Sequence, residues 1–119
     1  MRKLLLIGVI ALTGCASLTS MQSAPPELEA IHQATRARIT YQNYAKKDWR
    51  YIPKDQKASG NCAVYTLTNF TDAAKAGYSP QIRLCRTSRG VAHAYTQVGD
   101  WALDNRFRWV IPMSQQDCK

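Results

Sequence analysis

The chain has 119 residues and a formal charge of +8 at pH 7. That length supports one domain around one modest core and excludes a multidomain architecture; no internal repeat points to a solenoid or array. The basic excess suits an anionic surface or an acidic partner as readily as it suits plain solvation.

The N-terminus reads MRKLLLIGVIALTGCAS. Arg2 and Lys3 precede an apolar stretch, Leu4 to Thr13, that is too short to cross a bilayer as a helix and has the form of a secretory leader. Leu12-Thr13-Gly14-Cys15 resembles the lipobox of bacterial lipoproteins. That resemblance implies removal of residues 1–14 as a signal peptide and lipidation of Cys15. Ala16 behind it implies, by analogy, the outer membrane on its periplasmic side. Two or three acyl chains anchor a protein stably where one is marginal. Residues 15–26 are small, polar and proline-terminated, as a flexible tether is, and residues 27–119 are expected to be the folded domain. For an exported chain without a recognisable binding motif, nucleic acid is excluded as a partner. A monomer is expected.

Pro25-Pro26-Glu27 is a helix start, because proline fits the first turn and acids suit the positive end of the helix dipole. From there Leu28, Ile31, Thr35 and Ile39 recur at helical spacing, which extends the first helix towards Lys46 and Lys47. His32 falls beside this stripe and is expected at a surface or boundary. DWRYIPKDQKASGN follows as a loop, with Trp49 and Tyr51 as its anchors to the core. A second helix starts at Asn61 or Cys62 with Asn61 as N-cap, carries Ala63, Leu67, Phe70 and Ala74 on one face, and ends at Gly77. Beyond Pro80 the period changes to two. QIRLCRT, VAHAYTQV and WALDNRFRWVI read as strands, with the QVGD turn between the last two. The expected fold is α+β, two main helices on a three- to four-stranded antiparallel sheet.

Behind Cys15 stand Cys62, Cys85 and Cys118, an odd number for an oxidising compartment. Pairing Cys85 with Cys118 staples the tail to the sheet and leaves Cys62 as a free thiol. The count alone leaves the other pairings open. Without a C-x-x-C motif, thiol–disulfide exchange is a poor fit.

Cys62 at the head of a helix is where N–H groups are unpartnered and the dipole is positive, conditions that favour thiolate and hold an oxyanion. His93 and Asp104 flank the QVGD turn. With a four-residue hairpin loop they lie directly opposite. With Gly99-Asp100 alone as the loop, His93 faces Arg106 and Asp104 is its diagonal neighbour. Both registers put the two side chains on one face, within reach of a hydrogen bond. Cys62 as nucleophile, His93 as base and acid, and Asp104 as its orienting group suit acyl transfer. A core cysteine, a strand histidine on a backbone carbonyl and an Asp-Asn turn account for the same residues without chemistry.

The strings DWRYIP, SGNC with AVYTL, AGYSPQIRL, AHAYTQVGDWALDN and WVIP together resemble the bacterial transglutaminase-like cysteine peptidases, which include periplasmic proteases that release biofilm adhesins. The resemblance covers residues 48–112. It implies a minimal papain-like domain in which Cys62, His93 and Asp104 form the catalytic triad, acting without a cofactor on a peptide or protein of the cell envelope. Members of that family carry calcium-binding acids around the cysteine. This chain has Asn61, Ala63 and Val64 there, so no metal site is expected. Gln56, six residues before Cys62, is a candidate oxyanion-hole side chain, with the Cys62 N–H as the backbone alternative. Trp49, Tyr65, Tyr95 and Trp101 are candidates to line a substrate cleft. The enzyme expected is a lipid-anchored cysteine peptidase or amidase, including transglutaminase-type transfer. A binding or exclusion lipoprotein on the same fold, with the triad inactive, is the alternative.

Overall fold

The computed structural model describes residues 23–43 and 46–119. The segment expected to be a signal peptide and the expected lipidation position, Cys15, lie outside the described residues. Among those residues no helix is long and apolar enough to cross a membrane.

Helix α1 spans Pro26–Arg38, with proline at its start, Glu27 and Glu29 in its first turn and Arg36 and Arg38 in its last. All three features match the polarity of the helix dipole. Ala24 already packs in the core. The packed chain therefore begins within the stretch assigned to the tether.

The helix ends earlier than the periodicity suggests. Ile39–Tyr41 turns into an extended strand, β1, which pairs in parallel with β2, Ala58–Gly60. Ile39, Thr40 and Tyr41 are β-branched or aromatic, types that fit a pleated surface better than a helix interior. The second strand lies inside what reads as plain loop, because Ala-Ser-Gly carries no strand signal of its own. His32 is another departure. It is fully buried and its Nε2 meets the Phe107 carbonyl at 2.9 Å, tying α1 to the C-terminal segment.

Helix α2 spans Cys62–Lys75. The Asn61 side chain caps it by accepting from the Ala63 N–H at 3.1 Å, as the sequence predicts. Gly77 follows in the left-handed region, at φ 96°, where glycine is free of strain. The buried face differs from the expected stripe. Cys62 to Thr66 are all buried, then Thr68, Asn69, Asp72 and Ala73, whereas Ala74 is exposed. The first turns of α2 are enclosed because β4, α1 and the β1–β2 pair all pack against it.

The main sheet has four strands in the order β3 (Gln81–Arg86), β4 (Ala92–Val98), β5 (Trp101–Leu103) and β6 (Ile111–Pro112), all antiparallel. The fold is α+β, two helices on this sheet. Val98 pairs with Trp101, so the β4–β5 loop is the two-residue Gly99-Asp100. Gly99 has φ 58°, the conformation this tight turn asks of its first residue.

Three apolar clusters hold these layers. Leu28, Ala73, Val98, Leu103 and Val110 join both helices to the sheet. Ile39, Ile52, Val64 and Tyr65 join the long loop to α2. Tyr95, Ala102, Ile111 and Cys118 cover the far face of the sheet. Between the first two, Arg38 and Asp72 form a buried ion pair at 2.6 Å, completed by Tyr51 Oη on Asp72 and by Arg38 Nε on the Ile52 carbonyl. Tyr51 thus anchors the loop as expected, whereas Trp49 is exposed.

The tail closes the domain. Cys85 and Cys118 are disulfide-bonded and Cys62 is the free thiol. Arg86 and Lys119 exchange backbone hydrogen bonds of 2.7 and 3.0 Å, so the last residue continues the sheet at the edge of β3.

Candidate active site

The site is assembled at the N-terminus of α2. Asn61 does two things there. Its carbonyl oxygen caps the helix, and its amide donates to the Lys46 carbonyl at 2.7 Å. The second bond fixes the preceding loop so that Lys47 reaches the thiol, with Nζ 3.4 Å from Cys62 Sγ and 3.3 Å from the Ala92 carbonyl. Gly60 lets this junction close, because a Cβ at that position would overlap the Val64 side chain. The first turn of α2 holds no acid. Its positive dipole end therefore acts on Cys62 without a competing carboxylate.

His93 comes from β4 and Asp104 from the residue just past β5. They stand in the diagonal relation set by the two-residue turn, and His93 Nε2 meets Asp104 Oδ1 at 2.8 Å. The other ring nitrogen, Nδ1, is not used by this bond, and His93 lines the same cleft as Cys62, whose thiol helps to hold the ring charged. Cys62, His93 and Asp104 are each buried. The order along the line of contact is sulfur, imidazole, carboxylate.

The charges follow from these contacts. Burial works against ionising the Cys62 thiol. The hydrogen bonds from His93 and from the Ala94 backbone, with the Lys47 charge, outweigh it and lower the thiol below its usual range. Burial also opposes a charged His93, but the Asp104 and Cys62 bonds raise it to about 9. Asp104 is lowered to about 2, against burial, by His93 and Arg106. Both shifts run in the sense that favours a thiolate beside an imidazolium.

Asp104 is held from its far side as well. The Arg106 backbone N–H donates to Oδ1 at 3.0 Å and its guanidinium to Oδ2 at 3.0 Å. Gln116 Nε2 donates to Oδ2 at 3.1 Å. Arg106 in turn donates to Gln116 Oε1 and Asp117 Oδ1. A buried carboxylate with this many donors stays ionised and cannot rotate away from the imidazole.

A cleft of about 1020 Å³ opens over the thiol, lined among others by Tyr41, Lys47, Tyr65, Val91 and His93. Of the aromatic residues the sequence suggests for it, only Tyr65 takes part. Tyr95 packs under the tail, Trp101 packs against the main core and Trp49 faces solvent. Gln56 is not brought to the site. It is exposed and lies beside Lys54, Asp55 and Lys57 in a separate shallow depression. It sits in a turn, with its N–H on the Pro53 carbonyl, and does not line the cleft that holds Cys62. The Cys62 N–H, in the first turn of α2, remains the donor available to an oxyanion. Among the described residues no three His, Cys, Asp or Glu side chains converge as a cation site.

Lys47, Arg106 and Gln116 are the site residues that sequence reasoning misses. Lys47 sits in a run of cations that reads as solvated surface. Gln116 stands in a tail without pattern, and only the Cys85–Cys118 pair hints that this tail returns to the sheet beside His93. In comparisons with known proteins no family model matches the chain, and no curated protein matches it.

Proposed function

We propose that the chain is a lipid-anchored cysteine peptidase or amidase of the cell envelope, working through a thioester on Cys62. One observation carries this reading: a cysteine at a helix N-terminus and a histidine bonded to a buried carboxylate at 2.8 Å line one cleft, with the thiol lowered and the imidazole raised to about 9. Lipid anchoring rests on the sequence around Cys15.

The Cys62 thiolate attacks the carbonyl carbon of an amide, and the carbonyl oxygen takes the negative charge beside the Cys62 N–H and the Lys47 ammonium. The C–N bond breaks as His93 Nδ1 gives its proton to the leaving amine. A thioester on Cys62 and a neutral His93 remain. Water then attacks the thioester, His93 takes its proton, and the S–C bond breaks to regenerate thiolate and imidazolium and release a carboxylic acid. An amine in place of water gives a new amide by the same steps. Asp104 stays ionised throughout and keeps the ring oriented.

The test is labelling by a peptide that carries a thiol-reactive warhead. Wild type is expected to be labelled at Cys62. Cys62→Ala is expected to keep its circular dichroism spectrum and lose the label, and His93→Ala is expected to slow labelling strongly. Equal labelling of wild type and Cys62→Ala would overturn the proposal.

A further inference from the structure

The walls of the cleft are charged in one sense only. Arg36, Lys47, Arg89 and Arg106 line it, and among the described residues no aspartate or glutamate does. The four cations are not equivalent. Arg106 is neutralised by Asp104 and Asp117. Among the described residues Arg36 donates to the Asn105 and Phe107 carbonyls, at 3.0 and 3.3 Å, and to no carboxylate. Lys47 touches the thiol and a carbonyl, while its chain neighbour Asp48 is taken by Arg50 at 2.8 Å. Arg89 makes no ion pair among the described residues.

Arg89 is nevertheless carried on a built turn. Thr87 and Val91 are joined by a backbone bond of 2.9 Å and by Thr87 Oγ1 on the Val91 N–H. Gly90 occupies the left-handed region at φ 79°, and its carbonyl is held by Arg86 at 2.9 Å. Three cations without carboxylate partners thus come from three separate elements, the end of α1, the loop before β2 and the β3–β4 turn, and meet around one nucleophile.

Resting on the reading of Cys62 as nucleophile, we propose that the acyl donor is an acidic peptide segment, with carboxylate side chains beside the bond attacked that pair with Arg89, Lys47 and Arg36. The chemistry of the cycle fits such a donor. Acylation removes the thiolate charge, and Lys47 then loses its anionic partner at the moment a donor carboxylate can replace it. The concave shape and the Asn43 and Asn105 side chains in its walls suit an extended peptide backbone better than a flat anionic membrane.

The experiment measures binding, so that it does not depend on turnover. The full-length Cys62→Ala protein is titrated with a short fluorescent glutamate-rich peptide, with its glutamine counterpart, and with vesicles containing an anionic phospholipid. An exposed ion pair is worth up to about fivefold in affinity, so two or three together predict roughly tenfold tighter binding of the glutamate peptide. That preference should shrink towards parity in about 1 M salt, where the screening length is about 3 Å. It should largely vanish in the same protein carrying Arg89→Glu. Equal binding of the two peptides, or an Arg89→Glu effect confined to vesicles, would overturn the proposal. Absent labelling of Cys62 with the peptide preference intact would overturn the function proposed above and reduce this inference to binding of an acidic peptide in the cleft.

Discussion

Gln116 Nε2 donates to Asp104 Oδ2 at 3.1 Å while His93 Nε2 holds Oδ1 of the same carboxylate at 2.8 Å. The C-terminal tail is thus part of the apparatus that orients the imidazole. Replacing Gln116 by alanine removes one donor and leaves His93 and Cys62 in place. The expected outcome is a fall in kcat of about tenfold, equivalent to about 1.4 kcal/mol in the barrier, with KM little changed. Steady-state kinetics on a peptide substrate reads this split. A rise in KM alone would mean that Gln116 contacts substrate instead.

The same tail is fixed by the Cys85–Cys118 disulfide and by the Lys119–Arg86 backbone pair. Cys118→Ser, or reduction of the bond, frees Gln116 and Asp117 together. Cross-linking cysteines 33 positions apart restricts the unfolded chain, and its loss is expected to cost roughly 2–4 kcal/mol of stability. Thermal unfolding measures that loss. Activity in the folded variant is expected to drop at least as far as in Gln116→Ala, because Arg106 loses two partners as well.

The pH profile follows from the line of charges. Labelling of Cys62 needs the thiolate and the imidazolium together. Its rate should fall on the alkaline side near 9, as His93 loses its proton. The acid limb falls where the thiolate is protonated, below the ordinary thiol range. Asp104→Asn removes the carboxylate that raises His93, so the alkaline limb should move to lower pH. Stability has its own window. The Asp104 contribution is complete above 3.8 and is lost as pH falls through about 2. The His93 contribution is complete below 6.5 and is lost as pH rises through about 9. Denaturation measured between those limits should show this pair at full strength, and the Asp104→Asn difference should narrow at either extreme.

Much of this arrangement is legible from local patterns. The cap at Asn61 and the period-two strands each depend on residues next to one another, so the sequence states them directly. The strand period puts His93 and Asp104 on one face in either hairpin register, and the structure decides between the two by forming the Gly99-Asp100 turn, with Asp104 diagonal to His93. The unread parts depend on distant partners. Ile39 leaves the helix because β2 is there to pair with it, and β2 has no strand residues of its own. His32 is buried by Phe107, 75 positions away. Leu84 alternates like a core residue but is 68% exposed, because β3 is the sheet edge and no layer covers that side. Gln56 has a suggestive spacing to Cys62, but spacing in a loop does not fix direction, and the turn at Pro53 points it elsewhere.

Lys47 gives the sharpest separation of electrostatics from packing. Its ammonium lies 3.4 Å from Cys62 Sγ and contributes to lowering the thiol, after the His93 and Ala94 hydrogen bonds. Methionine at this position keeps a long apolar stem and removes the charge. The thiol of Lys47→Met should therefore ionise at higher pH, and the acid limb of the alkylation rate should shift upward. Arginine keeps a cation but spreads it over a planar fork, so Lys47→Arg should recover part of the shift. Rate constants for iodoacetamide against pH distinguish the two. At pH well above the thiol transition the three proteins should react at similar rates, because the sulfur is then ionised in all of them. A rate deficit in Lys47→Met that persists there unchanged would show that the lysine shapes access to the sulfur, and its assigned electrostatic part would be wrong.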